Sequence, residues 1–296
     1  MIDRPHIRGL RAASIAVTLL LAPAIALAIP VVADKLVAIP QLPTQVFQGG
    51  LIRGRVEPGS RLWLHTADAG QVAVRVGTSG DFVIGIGRDE PGPVRLRLAA
   101  PDGSEGELQV PVSRREWRIE RIEGVPQETV TPPPAIATRI AREQAQVVAA
   151  RERDDAREDF SSDFTWPLRG RISGVYGSQR IYNGTPKSAH SGLDVAAAQG
   201  TPIRAPAAGI ISFAQPDLYL TGGTVLIDHG HGLSSNFLHL SRIDVQLSQR
   251  VEQGETIGLV GATGRATGPH MHWGMNWFGV RVDPQLLVEP MAPAAP

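Results

Sequence analysis

The chain has 296 residues, 42% of them hydrophobic, with 29 basic and 29 acidic side chains. That length suggests two domains, and the balanced charge supplies no net field that would draw the protein to nucleic acid, for which no motif is present either. Cysteine is absent, which excludes disulfides, iron–sulfur clusters and thiolate-bound zinc, so any metal must be held by histidine and carboxylate.

Arg4, Arg8 and Arg11 precede an uncharged stretch over residues 12–33. Positive charge before an apolar run, followed by Ala26-Leu27-Ala28 or Val31-Val32-Ala33 as small-residue cleavage positions, reads as an export signal. The run is also long enough for an uncleaved membrane anchor, although Pro23 and Pro30 would disturb its helix. On either reading the folded part lies outside the cytoplasm, in the periplasm or cell envelope.

Residues 40–113 change to short alternating runs broken by glycine, proline and aspartate. Segments 61–65, 71–76, 81–86 and 94–98 read as strands, and Glu57-Pro58-Gly59, residues 78–81 and Pro101-Asp102-Gly103 as turns. The spacing predicts a small antiparallel sandwich of immunoglobulin-like type with a binding or spacer role. His65 has no ligand-type neighbour and reads as a surface strand residue.

Residues 114–163 read as a connector with one helix. The run 114–122 alternates charged with apolar residues, and Thr131 before three prolines is an N-cap candidate. The helix would pass through Ile136, Ile140, Gln144, Val147 and Val148 to about Arg157, with Arg139 and Glu143 as an exposed pair. Its narrow apolar stripe predicts a partly solvated arm lying against one of the domains, too short to sustain a coiled coil.

Residues 164–290 carry recurring runs rich in valine, isoleucine and glycine with no long helix between them, which predicts a mainly β domain of antiparallel sheet and long loops. Asn183-Gly184 marks a turn ahead of His190. In Gly268-Pro269-His270-Met271-His272, a strand's period of two would place both imidazoles on one face. His190 and Asp194 stand four apart, and His239 ends an apolar alternating run. Catalytic zinc takes three protein ligands and keeps water as the fourth, and His190, Asp194 and His272 would supply such a set. His239 and His270 would then remain beside the metal, free to handle protons and the oxyanion. No HExxH helix is present, so histidine takes the place of the usual glutamate base. His229 and His231 form a competing pair, but in Asp228-His229-Gly230-His231-Gly232 they read as a hairpin turn.

Each element alone is common; the three together are specific. His190-Ser191-Gly192-Leu193-Asp194, Phe237-Leu238-His239-Leu240-Ser241 and Gly268-Pro269-His270-Met271-His272 resemble the signature segments of the LytM-type, lysostaphin-like M23 zinc endopeptidases. The likeness runs from about Trp166 to Leu287 and includes Gly261-Ala262-Thr263-Gly264 and Val282-Asp283-Pro284. It implies a LytM-type antiparallel β-sheet peptidase domain in which His190, Asp194 and His272 bind Zn2+ while His239 and His270 act on the water and the transition state. The implied substrate is the peptide part of peptidoglycan, cut at a cross-link or within a stem. One departure is Phe237, where many relatives carry tyrosine, a change expected to tune activity and not abolish it. Residues 180–188 could border the groove or partly cover the metal. The rival reading is a catalytically silent LytM-type activator of cell-wall amidases, which would be expected to lack some of the five residues.

Overall fold

The computed structural model describes residues 41–66, 70–124 and 132–291; the export-signal or anchor reading of residues 1–33 lies outside them. Among the described residues no helix is long and apolar enough to cross a membrane.

The first alternating runs form strands β1 (Val46–Phe47), β2 (Leu51–Arg55), β3 (Arg61–Thr66), β4 (Gly70–Val74), β5 (Asp81–Gly85), β6 (Val94–Ala99), β7 (Glu105–Val110) and β8 (Val112–Ser113). An antiparallel sheet has the order β4-β3-β6-β7, and β2 pairs with β5. The alternation directs Val94, Leu96 and Leu98 of β6 inward, where Phe82 and Ile84 of β5 are also buried. One pairing departs from the expected antiparallel pattern: β1 and β8, the first and last strands of this region, run in parallel.

The stretch read as connector holds a strand as well as a helix. Strand β9 (Ile119–Ile122) pairs in parallel with β11 (Gln179–Tyr182). β11 in turn forms a hairpin with β12 (Thr185–Pro186), and Asn183 and Gly184 at its turn both have positive φ. Helix α1 spans Pro134–Arg151. Its N-cap position is Pro133, which makes no side-chain cap, so the helix begins later than a cap at Thr131 would have set it; Thr131 lies outside the described residues. It also stops short of Arg157. Beyond Arg151 the chain is taken up by ion pairs: Arg153 and Arg157 both reach the buried Asp228, and both also bind Asp155. The Arg139–Glu143 pair is present at 2.6 Å, but Glu143 is buried and not exposed, because its other oxygen accepts from the Tyr219 backbone N–H at 2.8 Å.

The large sheet is assembled from β10 (Arg171–Gly174), β13 (Gly192–Ala196), β15 (Gly209–Leu218), β16 (Gly222–Asp228), β17 (Leu233–Leu240), β19 (Arg250–Val251), β21 (His270–Trp277) and β22 (Val280–Val282). Its order is β10-β13-β21-β17-β16-β15-β19, with β22 on the other part of β21. Every pairing in it is antiparallel. Three short strands, β14 (Pro202–Arg204), β18 (Arg242–Ile243) and β20 (Thr256–Leu259), make a side sheet. In β21 the period of two separates Met271, Trp273, Met275 and Trp277, all buried in the core, from His270, His272 and Asn276 on the opposite face. Each fully buried side chain of that size contributes about 1.5–3 kcal/mol, so the core face sets the register that presents the histidines. Helix α1 packs Val147 and Ala150 on Phe213, Leu218 and Leu226. The described residues fall in one compact unit, and buried side chains of the amino-terminal strands and of the large sheet form one continuous cluster.

Candidate metal centre

Neighbouring strands of the large sheet carry the site. Asp194 of β13 lies directly opposite His272 of β21, and Ala196 opposite His270. The bulge in β10 between Ile172 and Gly174 brings Gly174 opposite Asp194, where a Cβ would stand 2.4 Å from Asp194 Oδ2. His239 is placed by a different device. Leu238 already pairs with His272 and faces its side of the sheet, so simple alternation would send His239 to the other side. Instead β16 and β17 shift register between Gly223 and Val225, and His239 takes a φ of 66°. This local irregularity lets both Leu238 and His239 line the groove.

Three donor atoms converge. His190 Nε2 is 3.1 Å from His272 Nδ1 and 3.2 Å from Asp194 Oδ1, and His272 Nδ1 is 2.8 Å from the same oxygen. A tetrahedral ion with bonds of 2.0–2.1 Å would separate its ligands by about 3.3 Å, so these atoms are spaced as the corners of a zinc site. Among the described residues this is the histidine–carboxylate group compact enough for a metal. The His190 tautomer agrees: its Nδ1–H donates to the Val175 carbonyl at 3.0 Å, which leaves Nε2 with its lone pair free. Burial pushes the Asp194 carboxyl up, but its polar contacts with the His190 and His272 rings outweigh this and hold it well below the usual carboxylate range. Burial pulls the His272 imidazole down to about 4, against its hydrogen bond with Asp194. Both shifts favour the unprotonated forms that ligate metals.

His239 and His270 flank this cluster with ring centroids 4.9 Å apart, and His239 is 6.5 Å from His272. His239 Nδ1–H donates to the Thr263 carbonyl at 2.7 Å and His270 Nδ1–H to the Gly268 carbonyl at 2.8 Å, so each keeps Nε2 for the groove. His270 Nε2 lies 3.8 Å from Asp194 Oδ1. Burial pulls the His239 imidazole down to about 4, against the opposing bond to Thr263. The groove above them has a volume of about 1340 Å³ and is bordered by Arg88 and Asp89 of the amino-terminal region as well as by Arg171, Arg265 and Arg281.

Other sequence-derived candidates fall elsewhere. His229 and His231 form the turn between β16 and β17, outside the metal group, with rings packed on Phe164 and Phe160 at 5.1 and 4.6 Å. Phe237 is fully buried opposite Trp273, on the core face and away from His272, so a hydroxyl there would not enter the groove. Residues that sequence reasoning missed are Arg180, whose Nη2 donates to Asp194 Oδ2 at 3.1 Å, and Glu120, which accepts from Arg180 Nε at 3.4 Å. Arg180 does open the segment singled out ahead of His190, but Glu120 carried no local signal.

Fold and site together define a mainly β protein with a buried histidine–aspartate metal centre on an antiparallel sheet. The chain belongs to peptidase family M23. Residues 188–284 match that family's model. A crystal structure assigned to peptidase M23 from Pseudomonas aeruginosa is 34% identical, with 81% of this chain and 94% of that chain covered at a TM-score of 0.61. Among curated proteins, cell division protein DipM of Caulobacter vibrioides is 34% identical over 166 residues, 54% of this chain and 25% of the relative. Peptidoglycan DD-endopeptidase ShyA of Vibrio cholerae is 37% identical over 142 residues, 48% of this chain and 32% of the relative. The chain thus spans a quarter to a third of the length of these curated relatives.

Proposed function

We propose that the protein is a zinc-dependent endopeptidase that hydrolyses peptide cross-links or stem peptides of peptidoglycan, acting outside the cytoplasm. The observation that carries this reading is the convergence of His190 Nε2, Asp194 Oδ1 and His272 Nδ1, with two further imidazoles beside them. Zinc bound there would polarise the scissile carbonyl and make water nucleophilic at neutral pH. The chain's own side chains supply the rest. His239, neutral near pH 7, takes a proton from the attacking water at Nε2 and returns it to the leaving amine. His270, with Nδ1–H committed to Gly268, presents its Nε2 lone pair to the groove, where it accepts a hydrogen bond from the attacking water and orients it. The new carboxylate and the new amine are the products. The relative named as a peptidoglycan DD-endopeptidase supports the substrate class, and the five-residue set being complete weighs against a silent amidase activator. The test is incubation with purified peptidoglycan, with and without chelator, and mass spectrometry of soluble fragments. Chelator-sensitive release of fragments with new amino and carboxyl termini is expected; intact peptidoglycan beside a zinc-loaded protein would reject the reading.

A further inference from the structure

Asp194 offers two oxygens, and the cluster of metal-binding atoms uses one. Oδ1 faces His190 and His272, while Oδ2 accepts from Arg180 Nη2 at 3.1 Å. Arg180 is itself held. It stands directly opposite Glu120 in the parallel ladder of β9 and β11, and its Nε points to Glu120 Oε2 at 3.4 Å. The ladder is pinned on both sides of β11: the Gln179 N–H donates to the Arg118 carbonyl at 2.8 Å, and the Lys187 N–H to the Arg180 carbonyl at 2.9 Å. Just ahead of β9, the Trp117 ring fills the space a Cβ would need at Gly177, 2.3 Å away, and stacks with the guanidinium carbons of Arg88 and Arg115, 4.9 and 4.7 Å from the ring centre. The Arg180 side chain is 24% exposed, so it bridges two carboxylates in a largely enclosed place.

A carboxylate that ligates through one oxygen is oriented by whatever holds the other. A guanidinium suits this task because its N–H groups lie in one rigid plane and can serve two acceptors at once. Without the second acceptor, the long arginine side chain would regain rotamers that leave Asp194. We propose that Arg180 and Glu120 are positioning residues of the metal centre: Glu120, carried by the strand that follows the amino-terminal β region, sets Arg180, and Arg180 turns Asp194 so that Oδ1 alone meets the metal. The amino-terminal half thereby reaches the metal site through one side chain. This inference rests on the zinc reading of the His190–Asp194–His272 cluster.

The test measures zinc affinity by competition with a chromophoric chelator, using the full chain, together with thermal unfolding of the zinc-free proteins. Glu120→Gln is expected to weaken zinc binding about tenfold and Arg180→Ala about 10- to 100-fold, the range seen for groups that orient ligands. Because Glu120 acts through Arg180, the double variant should bind as Arg180→Ala does. The zinc-free melting temperature should hardly move for Glu120→Gln, which separates positioning from a merely structural tie. Should Arg180→Ala fail to fold, Arg180→Lys replaces it, since one ammonium cannot reproduce the fork, and Glu120→Gln should again add nothing. Wild-type affinity in Glu120→Gln, or a further loss in the double variant, overturns the proposal alone. A wild-type chain that takes up no zinc overturns it together with the reading of the site.

Discussion

A Cβ on Gly192 would lie 2.7 Å from His272 Nε2 and 2.5 Å from the Trp273 carbonyl oxygen. Glycine between His190 and Asp194 is therefore a condition for packing β13 so closely on β21. Gly192→Ala should part the two strands where Asp194 faces His272, costing about 2 kcal/mol or more, as overpacking does. It should also weaken zinc binding. Denaturant unfolding and chelator competition check both effects; unchanged values would mean that the strands have room to spare.

Removing a ligand and removing a flanking imidazole should give different outcomes. His272→Ala is expected to lose zinc and peptidoglycan cleavage together. His239→Ala should retain zinc, because its Nδ1 is engaged with Thr263 and its ring stands outside the cluster. Its turnover should fall about 10²- to 10⁴-fold, the usual worth of a general acid–base group. Metal analysis alongside fragment release checks this, and wild-type turnover by His239→Ala would remove the proton-transfer role from that residue.

Acid should loosen the fold through His229. This residue is fully buried, donates from Nδ1 to the Ala208 carbonyl at 2.7 Å and accepts at Nε2 from Ser235 Oγ at 2.8 Å, so its neutral form is the one that fits. Burial pulls its pKa from 6.5 down to about 4. Between those values the unfolded chain takes up a proton that the native state refuses, so stability is full above pH 6.5 and declines as pH falls towards 4, by about 3 kcal/mol in total. Denaturant midpoints at pH 7.5, 6 and 5 should show the decline, and His229→Gln should make it shallower without abolishing it, since burial depresses His239 and His272 in the same way. An equally steep decline in the variant would locate the acid sensitivity elsewhere.

The connector should peel away when Gly230 is enlarged. Gly230 has a φ of 87°, and a Cβ there would stand 1.8 Å from the Arg157 carbonyl oxygen. The His231 N–H donates to the Asp155 carbonyl and the Phe160 N–H to the His229 carbonyl, both at 3.0 Å, so this turn is where residues 155–160 dock. Gly230→Ala is expected to cost about 2 kcal/mol or more and to open Arg153 and Arg157 to trypsin. Resistance to trypsin equal to that of the unaltered chain would contradict this account.

The parts of the site written in local periodicity were legible from the chain. His270 and His272 alternate with Met271 and Trp273, so their common face followed from strand geometry, as did the mainly β class from the short alternating runs. His239 was legible as a candidate, but not the left-handed backbone that turns it onto the face of Leu238, because a bulge depends on the neighbouring strand's register. The end of helix α1 was misplaced for a related reason: residues 152–157 are helix-compatible in themselves, and Asp228, far along the chain, draws Arg153 and Arg157 out of the helix. The Glu120–Arg180 contact lies furthest beyond local reading, since a parallel pairing between distant segments leaves no mark in either.

The parallel strand β9 also bears on how the protein can be divided. A fragment trimmed to residues 188–284 would contain all five histidine and aspartate side chains, yet it would discard the Val175 carbonyl that selects the His190 tautomer and the guanidinium that steadies Asp194. Starting instead at residue 164 would restore both, but would leave β11 with a bare edge where Ile119–Ile122 had been hydrogen-bonded. A fragment that keeps the whole Glu120–Arg180–Asp194 chain of contacts therefore has to include β9, well inside what composition alone marks as a tether.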